Sequence, residues 1–103
     1  MPVDKDKVNI IRGDKEEIGL LRQNLYLVYL ADREYAFALN HINHCIDIFK
    51  EIHPNRSIKL ASKYYQKSNC LLHLNQKEEA IKWIRLAIDI QSNPDTSDGA
   101  AGD

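Results

Sequence analysis

Glycine, proline and the residue types that favour strands are scarce in this chain of 103 residues. It holds four glycines and three prolines, and Gly13, Gly19, Pro54 and Pro94 are the only ones between residues 3 and 98. Valine occurs three times and threonine once. Because strands are built preferentially from such residues and their turns from glycine, this composition predicts an all-α fold.

Cysteines and long apolar runs are also sparse. Cys45 and Cys70 are the only cysteines, and two thiols in apolar segments do not make the disulfide framework of a small secreted domain. No apolar run reaches about 18 residues, so neither a membrane span nor a signal peptide is expected. A chain of this length is not expected to be a multidomain enzyme. We therefore expect one domain in the cytoplasm or nucleus.

Apolar residues recur at helical spacing in four segments that are separated by short breaks. Asp14 and Glu17 form a capping-box pattern at the expected start of the first segment, and His53-Pro54 ends the second. In the first segment the recurring residues are Ile18, Leu21, Leu25 and Val28. The predicted helices are helix 1 (14–30), helix 2 (35–53), helix 3 (from between 55 and 57 to 74) and helix 4 (77–91).

Two terminal segments lie outside the predicted helical domain of residues 14–91. Residues 1–13 are expected to be partly ordered. Residues 92–103 are expected to be a flexible acidic tail, because they contain three acids, no base and no large apolar residue. Since the breaks between helices are short, consecutive helices should be antiparallel neighbours. They form either two stacked helical hairpins or a closed up-and-down four-helix bundle.

A self-comparison of the sequence favours the stacked hairpins. Residues 35–48 align with residues 77–90 at an offset of 42 residues. The aligned pairs include Ala38 with Ala80, Ile42 with Ile84, and Cys45 with Ala87, followed by Ile-Asp-Ile in both segments. Self-similarity at a fixed period of this length is typical of helical repeat proteins.

The aligned residues resemble the tetratricopeptide repeat, in which small side chains let the two helices of a unit approach closely. The matching positions are Tyr64, Ser68, Leu71, Ala80, Ile84 and Ala87 in the second hairpin, and Leu25, Tyr29, Ala38, Ile42 and Cys45 in the first. Tyr26 stands where a small residue is usual. The long period is similar to that of kinesin light chains and of the C-terminal helical domain of SET-and-MYND methyltransferases, although His53-Pro54 falls about one turn earlier here.

The resemblance implies a noncatalytic protein-interaction module, an adaptor or scaffold, with a groove formed by helices 1 and 3. Carried over residue by residue, the groove positions are Leu20, Gln23, Leu27, Leu30, Ala31, Ser62, Tyr65, Asn69, Leu72 and His73. The clamp for chaperone carboxylates is not expected, because Gln23 and Leu27 stand where it needs lysine and asparagine. The apolar groove better suits an amphipathic helix or an apolar peptide.

A row of lysines on helix 3 offers a second kind of binding face. Lys59, Lys63 and Lys67 lie at i, i+4 and i+8, so they share one face of the helix. An acidic peptide could dock there, and an ordinary solvated face is the alternative. Lys67 occupies a position where the family usually has leucine, so its stem should snorkel or that face should lack its usual neighbour. Nucleic acid is not expected, since the chain is close to neutral.

Histidines and cysteines suggest a metal site only by their helical spacing. His41 with His44 or Cys45, together with Cys70 and His73, could supply four ligands. No established metal-binding spacing is present, and a buried cysteine more often serves as a small apolar residue. No metal or cofactor is therefore expected.

Catalytic patterns are weaker still. The paired carboxylates fall in first helical turns, where they favour the helix dipole, and no glycine-rich phosphate loop occurs. We therefore expect no enzymatic activity. The alternative function is a self-associating structural subunit of a larger complex. Helical repeats usually need about three units to bury a continuous core, so the exposed end of a pair must be covered by residues 1–13, a second copy or a larger assembly.

Overall fold

The computed structural model describes the backbone of residues 5–53 and 55–94, and the side chains of these ranges from residue 14 onward. This part of the chain forms four α-helices and no strand, which confirms the all-α prediction. The helices are α1 (Lys5–Ala31), α2 (Tyr35–Ile52), α3 (Ile58–His73) and α4 (Lys77–Ser92). The boundaries of α2, α3 and α4 agree with the predicted ones to within three residues.

The start of α1 differs from its prediction. The helix begins at Lys5, so Asp14 lies in its interior and the predicted capping box is wrong. A single glycine costs a helix only about 1 kcal/mol relative to alanine, and Gly13 therefore does not end it. Residues 5–13 belong to α1, and residues 1–4 lie outside the described residues. The predicted acidic tail also lies outside them from residue 95 onward.

The face of α1 that packs on α2 is not the apolar stripe. The stripe residues are exposed: Ile18, Leu21, Leu25 and Val28. Gly19 and Tyr26 are buried instead. An added Cβ at Gly19 would lie 2.7 Å from Cε1 of Phe49, so glycine permits a close approach of α1 and α2. Apolar periodicity thus located the helix but not its buried face.

The turns of the two hairpins have the same backbone geometry at an offset of 42 residues. Arg33 and Asn75 adopt left-handed conformations, with φ of 61° and 67°. In both turns the next residue donates its N–H to the carbonyl five residues earlier, at 2.8 and 2.9 Å. The following helices then begin at Tyr35 and Lys77. The sequence repeat is therefore also a repeat of structure.

Helices that follow one another in the chain also pack on one another: α1 on α2, α2 on α3 and α3 on α4. Within the part of the chain that the structure describes, α1 and α4 make no extensive contact. In a closed up-and-down bundle the first and last helices would be neighbours. The observed open order is the one that two stacked hairpins produce.

One continuous core connects the hairpins. Small residues lie buried where the helices of each hairpin approach, and Ala38 and Ala80 are completely enclosed. Large buried side chains come from α2 and α3, with Ile42, Ile46, Phe49, Leu60 and Tyr64, and also from α1 and α4, with Tyr26 and Ile90. Each such side chain contributes about 1.5–3 kcal/mol of transfer free energy. The α2–α3 joint between hairpins is therefore as much part of the core as the hairpins themselves.

Arg56, just before α3, closes the C-terminal end of α4. Its guanidinium donates to a carboxylate oxygen and the main-chain carbonyl of Asp89, both at 2.9 Å, and to the carbonyl of Asn93 at 3.1 Å. The last carbonyls of a helix lack intrahelical partners and carry partial negative charge. A cation at this place therefore satisfies them and complements the helix dipole.

Candidate protein-interaction surface

The face shared by α1 and α3 contains a cavity of about 430 Å³. Its lining combines apolar walls with charged groups at the rim. The lining residues are Glu16 and Leu20 of α1, Phe49 of α2, and Ile58, Lys59, Ser62 and Lys63 of α3. We refer to the face of α1 and α3 that contains this cavity as the α1/α3 face. The cavity thus has an acid on its α1 side and two lysines on its α3 side, together with apolar lining residues from all three helices.

Tyr26 connects the two helices of this face. The side chain lies almost completely buried and forms a side-chain hydrogen bond with Asn69 of α3. Burial raises the pKa of Tyr26 to about 12, and the neighbouring Cys70 thiol adds to the rise. The tetratricopeptide resemblance placed Tyr26 where a small residue is usual. Here the larger side chain extends from α1 to α3.

The nine residues predicted to bind a partner, from the groove and from the lysine row, divide into two groups by exposure. Five are exposed: Leu27, Lys59, Tyr65, Leu72 and His73. Leu27 and Tyr65 expose 48% and 62% of their surface, which is high for large apolar side chains. The other four are half-buried: Gln23, Leu30, Lys63 and Asn69. The exposed group can meet a partner directly, whereas the half-buried group shapes the surface beneath it.

Several predicted groove residues are engaged inside the protein. The Cys45 thiol donates to Oε1 of Gln23 at 4.0 Å. The His73 ring stacks on Tyr35 with a centroid distance of 4.1 Å and an angle of 2°. Leu30 packs against the core. These contacts fix the side chains before any partner arrives, so the surface is preorganised.

The lysine row of α3 is not a uniform basic face. Nζ of Lys63 lies 5.4 Å from the ring centroid of Phe49, and Nζ of Lys67 lies 4.0 Å from that of Trp83. Burial lowers the pKa of both lysines. Lys67 therefore snorkels along an aromatic ring, one of the two predicted outcomes. Lys59, by contrast, is exposed to solvent at the rim of the α1/α3 cavity, whereas Lys63 and Lys67 are half-buried.

The side chains considered as metal ligands lie in separate surroundings. The side chain of His41 contacts Arg22 Nη1 at 3.0 Å and stacks on Tyr29. Burial lowers the pKa of His41, and the adjacent Arg22 lowers it further. Cys45 and Cys70 are buried, and burial raises the pKa of both thiols. Among the described residues, no three histidine, cysteine or acidic side chains are grouped as metal ligands.

A larger cavity, of about 580 Å³, lies between α3 and α4 and was not anticipated from the sequence. Its lining is mostly apolar. The lining residues are Ala61, Ser62 and Tyr65 of α3 and Ile84, Ala87, Ile88, Gln91 and Ser92 of α4. We refer to it as the α3/α4 groove. The signal that could have located it is the pairing of small residues with isoleucines at helical spacing on α4.

None of the described helices combines the length and hydropathy needed to cross a bilayer. No family model matches the chain, and no curated protein or solved structure is similar enough to count as a relative. The residues and their geometry therefore carry the functional argument.

Proposed function

We propose that the protein is a noncatalytic interaction module that binds a helical segment of a partner protein on the α1/α3 face. The exposed apolar residues on this face carry the proposal. Leu20, Leu27, Ile58, Tyr65 and Leu72 are all exposed by about half or more. Exposed apolar side chains that share a face mark interaction sites more often than chance surface residues do.

The chemistry of the face favours an amphipathic helix. Leu27, Tyr65 and Leu72 offer apolar anchor contacts, which suit the apolar stripe of a helix. Glu16 and Lys59 stand at the rim of the cavity, where they would pair with polar residues flanking that stripe. A purely acidic peptide is less well matched, because Lys63 and Lys67 already contact aromatic rings. The proposed partner therefore contributes apolar side chains at i, i+3, i+4 and i+7.

The open order of the helices and the 42-residue structural repeat support this function. Stacked helical hairpins present extended faces on which peptides bind. The buried hydrogen bond between Tyr26 and Asn69 holds α1 and α3 together, so little ordering is needed when a partner binds. Preorganisation of this kind reduces the entropic cost of association.

Site-specific crosslinking tests the proposal. A photoreactive residue replaces Leu27, crosslinked proteins are identified by mass spectrometry, and the purified partner is titrated by calorimetry against wild type and Leu27→Glu. Placing a charge in an apolar contact should weaken binding by at least about tenfold. Leu72→Glu should have the same effect from α3.

Leu25→Glu is the matched control. Leu25 lies two positions from Leu27 on α1, is exposed to a similar extent, and points away from the α1/α3 face because two residues correspond to about 200° of helix. The control variant should bind the partner like wild type. Equal affinity for wild type and Leu27→Glu, or equal loss with Leu25→Glu, would contradict the proposal.

A further inference from the structure

The α2–α3 joint inside the chain provides a template for a joint between molecules. Because the two hairpins repeat at an offset of 42 residues, α4 is the equivalent of α2, and the C-terminal part of α1 is the equivalent of α3. In the first hairpin, Ile46 and Phe49 of α2 are buried at 4% and 3% exposure. Lys63 of α3 lies over Phe49. This joint is therefore closed within one molecule.

The equivalent place on the second hairpin is open. Ile46 corresponds to Ile88, which is 59% exposed, and Phe49 corresponds to Gln91, which is also exposed. Both line the α3/α4 groove. Ile42, fully buried in the first hairpin, corresponds to Ile84, which is only half-buried. The α3/α4 groove is thus the position that a helix equivalent to α3 would occupy.

The other half of the joint is exposed on α1. On α3, Leu60 and Cys70 are fully buried, Lys63 lies over Phe49 of α2, and the half-buried Lys67 lies over Trp83 of α4. Their equivalents 42 residues earlier are Ile18, Val28, Leu21 and Leu25, in the same order. These four form the apolar stripe of α1 and are 41–58% exposed in the part of the chain that the structure describes. We call it the α1 stripe.

We propose that the α1 stripe of one molecule docks in the α3/α4 groove of a second copy of this chain and reproduces the α2–α3 joint between molecules. The argument for a second copy is that both halves of one joint are present on the same chain, in matching register and both apolar.

The arrangement has a definite consequence for assembly. The contact is heterologous, because the α1 stripe and the α3/α4 groove are different surfaces. Each added copy therefore leaves one stripe and one groove open at the ends of the stack. The mean mass of the assembly should rise steadily with concentration and should not stop at the mass of a dimer.

Sedimentation velocity tests whether the mean mass rises with concentration. Protein concentrations from about 1 μM to 1 mM cover the range of typical weak self-association. Wild type should sediment with a mean mass that rises from the 11.9 kDa monomer. Leu25→Glu on the stripe and Ile88→Glu in the groove should each weaken association by at least about tenfold, since either places a charge in an apolar contact. Both residues are exposed, and circular dichroism should show unchanged helix content.

A mixture of the two variants is decisive. Leu25→Glu keeps an intact groove and Ile88→Glu keeps an intact stripe, so one productive joint forms and the mixture should stop at a dimer. Leu27→Glu, on the α1/α3 face, should associate like wild type, which separates this proposal from the proposed function. A wild-type monomer at every concentration would overturn the proposal. Undiminished association of either variant alone would also overturn it. That result would indicate a contact between two stripes, between two grooves or through a different surface.

Discussion

Replacing Gly19 by alanine sets two opposing effects against each other, and the structure determines which is larger. Alanine stabilises the interior of a helix by about 1 kcal/mol relative to glycine. The added Cβ would, however, lie 2.7 Å from Cε1 of Phe49 and 3.4 Å from Cγ2 of Ile48. Carbon atoms in favourable contact are about 3.5–4.0 Å apart. The first distance therefore requires a displacement of α1 or of the Phe49 ring.

The Phe49 ring has little room to move. It is 3% exposed, the centroid of the His53 ring lies 5.3 Å from its own with the two rings nearly perpendicular, and Nζ of Lys63 lies 5.4 Å from its centroid. Overpacking a well-filled core costs about 1–3 kcal/mol. After the gain in helix propensity is subtracted, Gly19→Ala should lower the free energy of unfolding by about 1 kcal/mol.

Urea denaturation followed by circular dichroism measures this difference, and a second background isolates its cause. Phe49→Leu removes the ring edge that the new Cβ would meet. In that background Gly19→Ala should gain its helix propensity without the clash and raise the free energy of unfolding. The effect of the same substitution therefore changes sign between the two backgrounds, which a double-mutant cycle detects. A stabilising Gly19→Ala in the wild-type background, or an equal effect in both, would refute the steric argument.

Three further predictions concern the turns, the buried tyrosine and the thiols. Arg33→Asn should raise the free energy of unfolding by up to about 1 kcal/mol, since asparagine tolerates positive φ, and Asn75→Arg should lower it; no difference in thermal unfolding would contradict this. Because the pKa of Cys70 is raised to about 11 and that of Tyr26 to about 12, the unfolded state loses these protons first, and stability should fall as pH rises above about 9. Tyr26→Phe should reduce the loss of unfolding free energy between about pH 10 and 12 by about 2–3 kcal/mol. At neutral pH the same substitution should cost about 1 kcal/mol through the lost hydrogen bond. If urea denaturation at several pH values gave the same pH dependence for variant and wild type, the prediction would be wrong. Cys45 and Cys70 should resist a thiol reagent in the native protein and react in urea, and rapid native labelling would be inconsistent with their burial.

Local pattern was sufficient to locate the four helices, although not the start of α1. The ends of α2, α3 and α4 follow from punctuation that acts within a few residues, such as the proline after His53 and the asparagine at the second turn. The offset of 42 residues was visible in sequence because both hairpins need small residues, such as Ala38 and Ala80, where their helices meet.

The buried face of α1 could not be predicted from periodicity, because the contact with α2 depends on a residue with no side chain. In the sequence, Gly19 indicates only a residue of weak helix propensity. The structure shows that Phe49 packs directly against it. The lysines of α3 are a similar case. Their spacing indicated a shared face, but whether an ammonium group faces solvent or an aromatic ring depends on a neighbouring helix.

The candidate surfaces show the same division between local and tertiary information. Leu27, Tyr65 and Leu72 were located from their positions in the repeat, and they are exposed as a binding face requires. The α3/α4 groove was missed because its shape depends on the distance between two helices. The contact of Arg56 with the end of α4 was not predicted, since it joins residues more than 30 positions apart.

The difference between the joint inside the chain and the proposed joint between molecules has a physical reason. The first connects helices that are already linked covalently, so lysines can be accommodated on α3 by contact with aromatic rings, Lys63 with Phe49 of α2 and Lys67 with Trp83 of α4. Association of separate molecules must also offset the loss of translational and rotational freedom, about 4–15 kcal/mol. The equivalent positions on α1 hold leucines, Leu21 and Leu25, which contribute apolar burial without the cost of desolvating a charge. Leucines at these positions therefore suit the proposed contact between separate molecules better than lysines would.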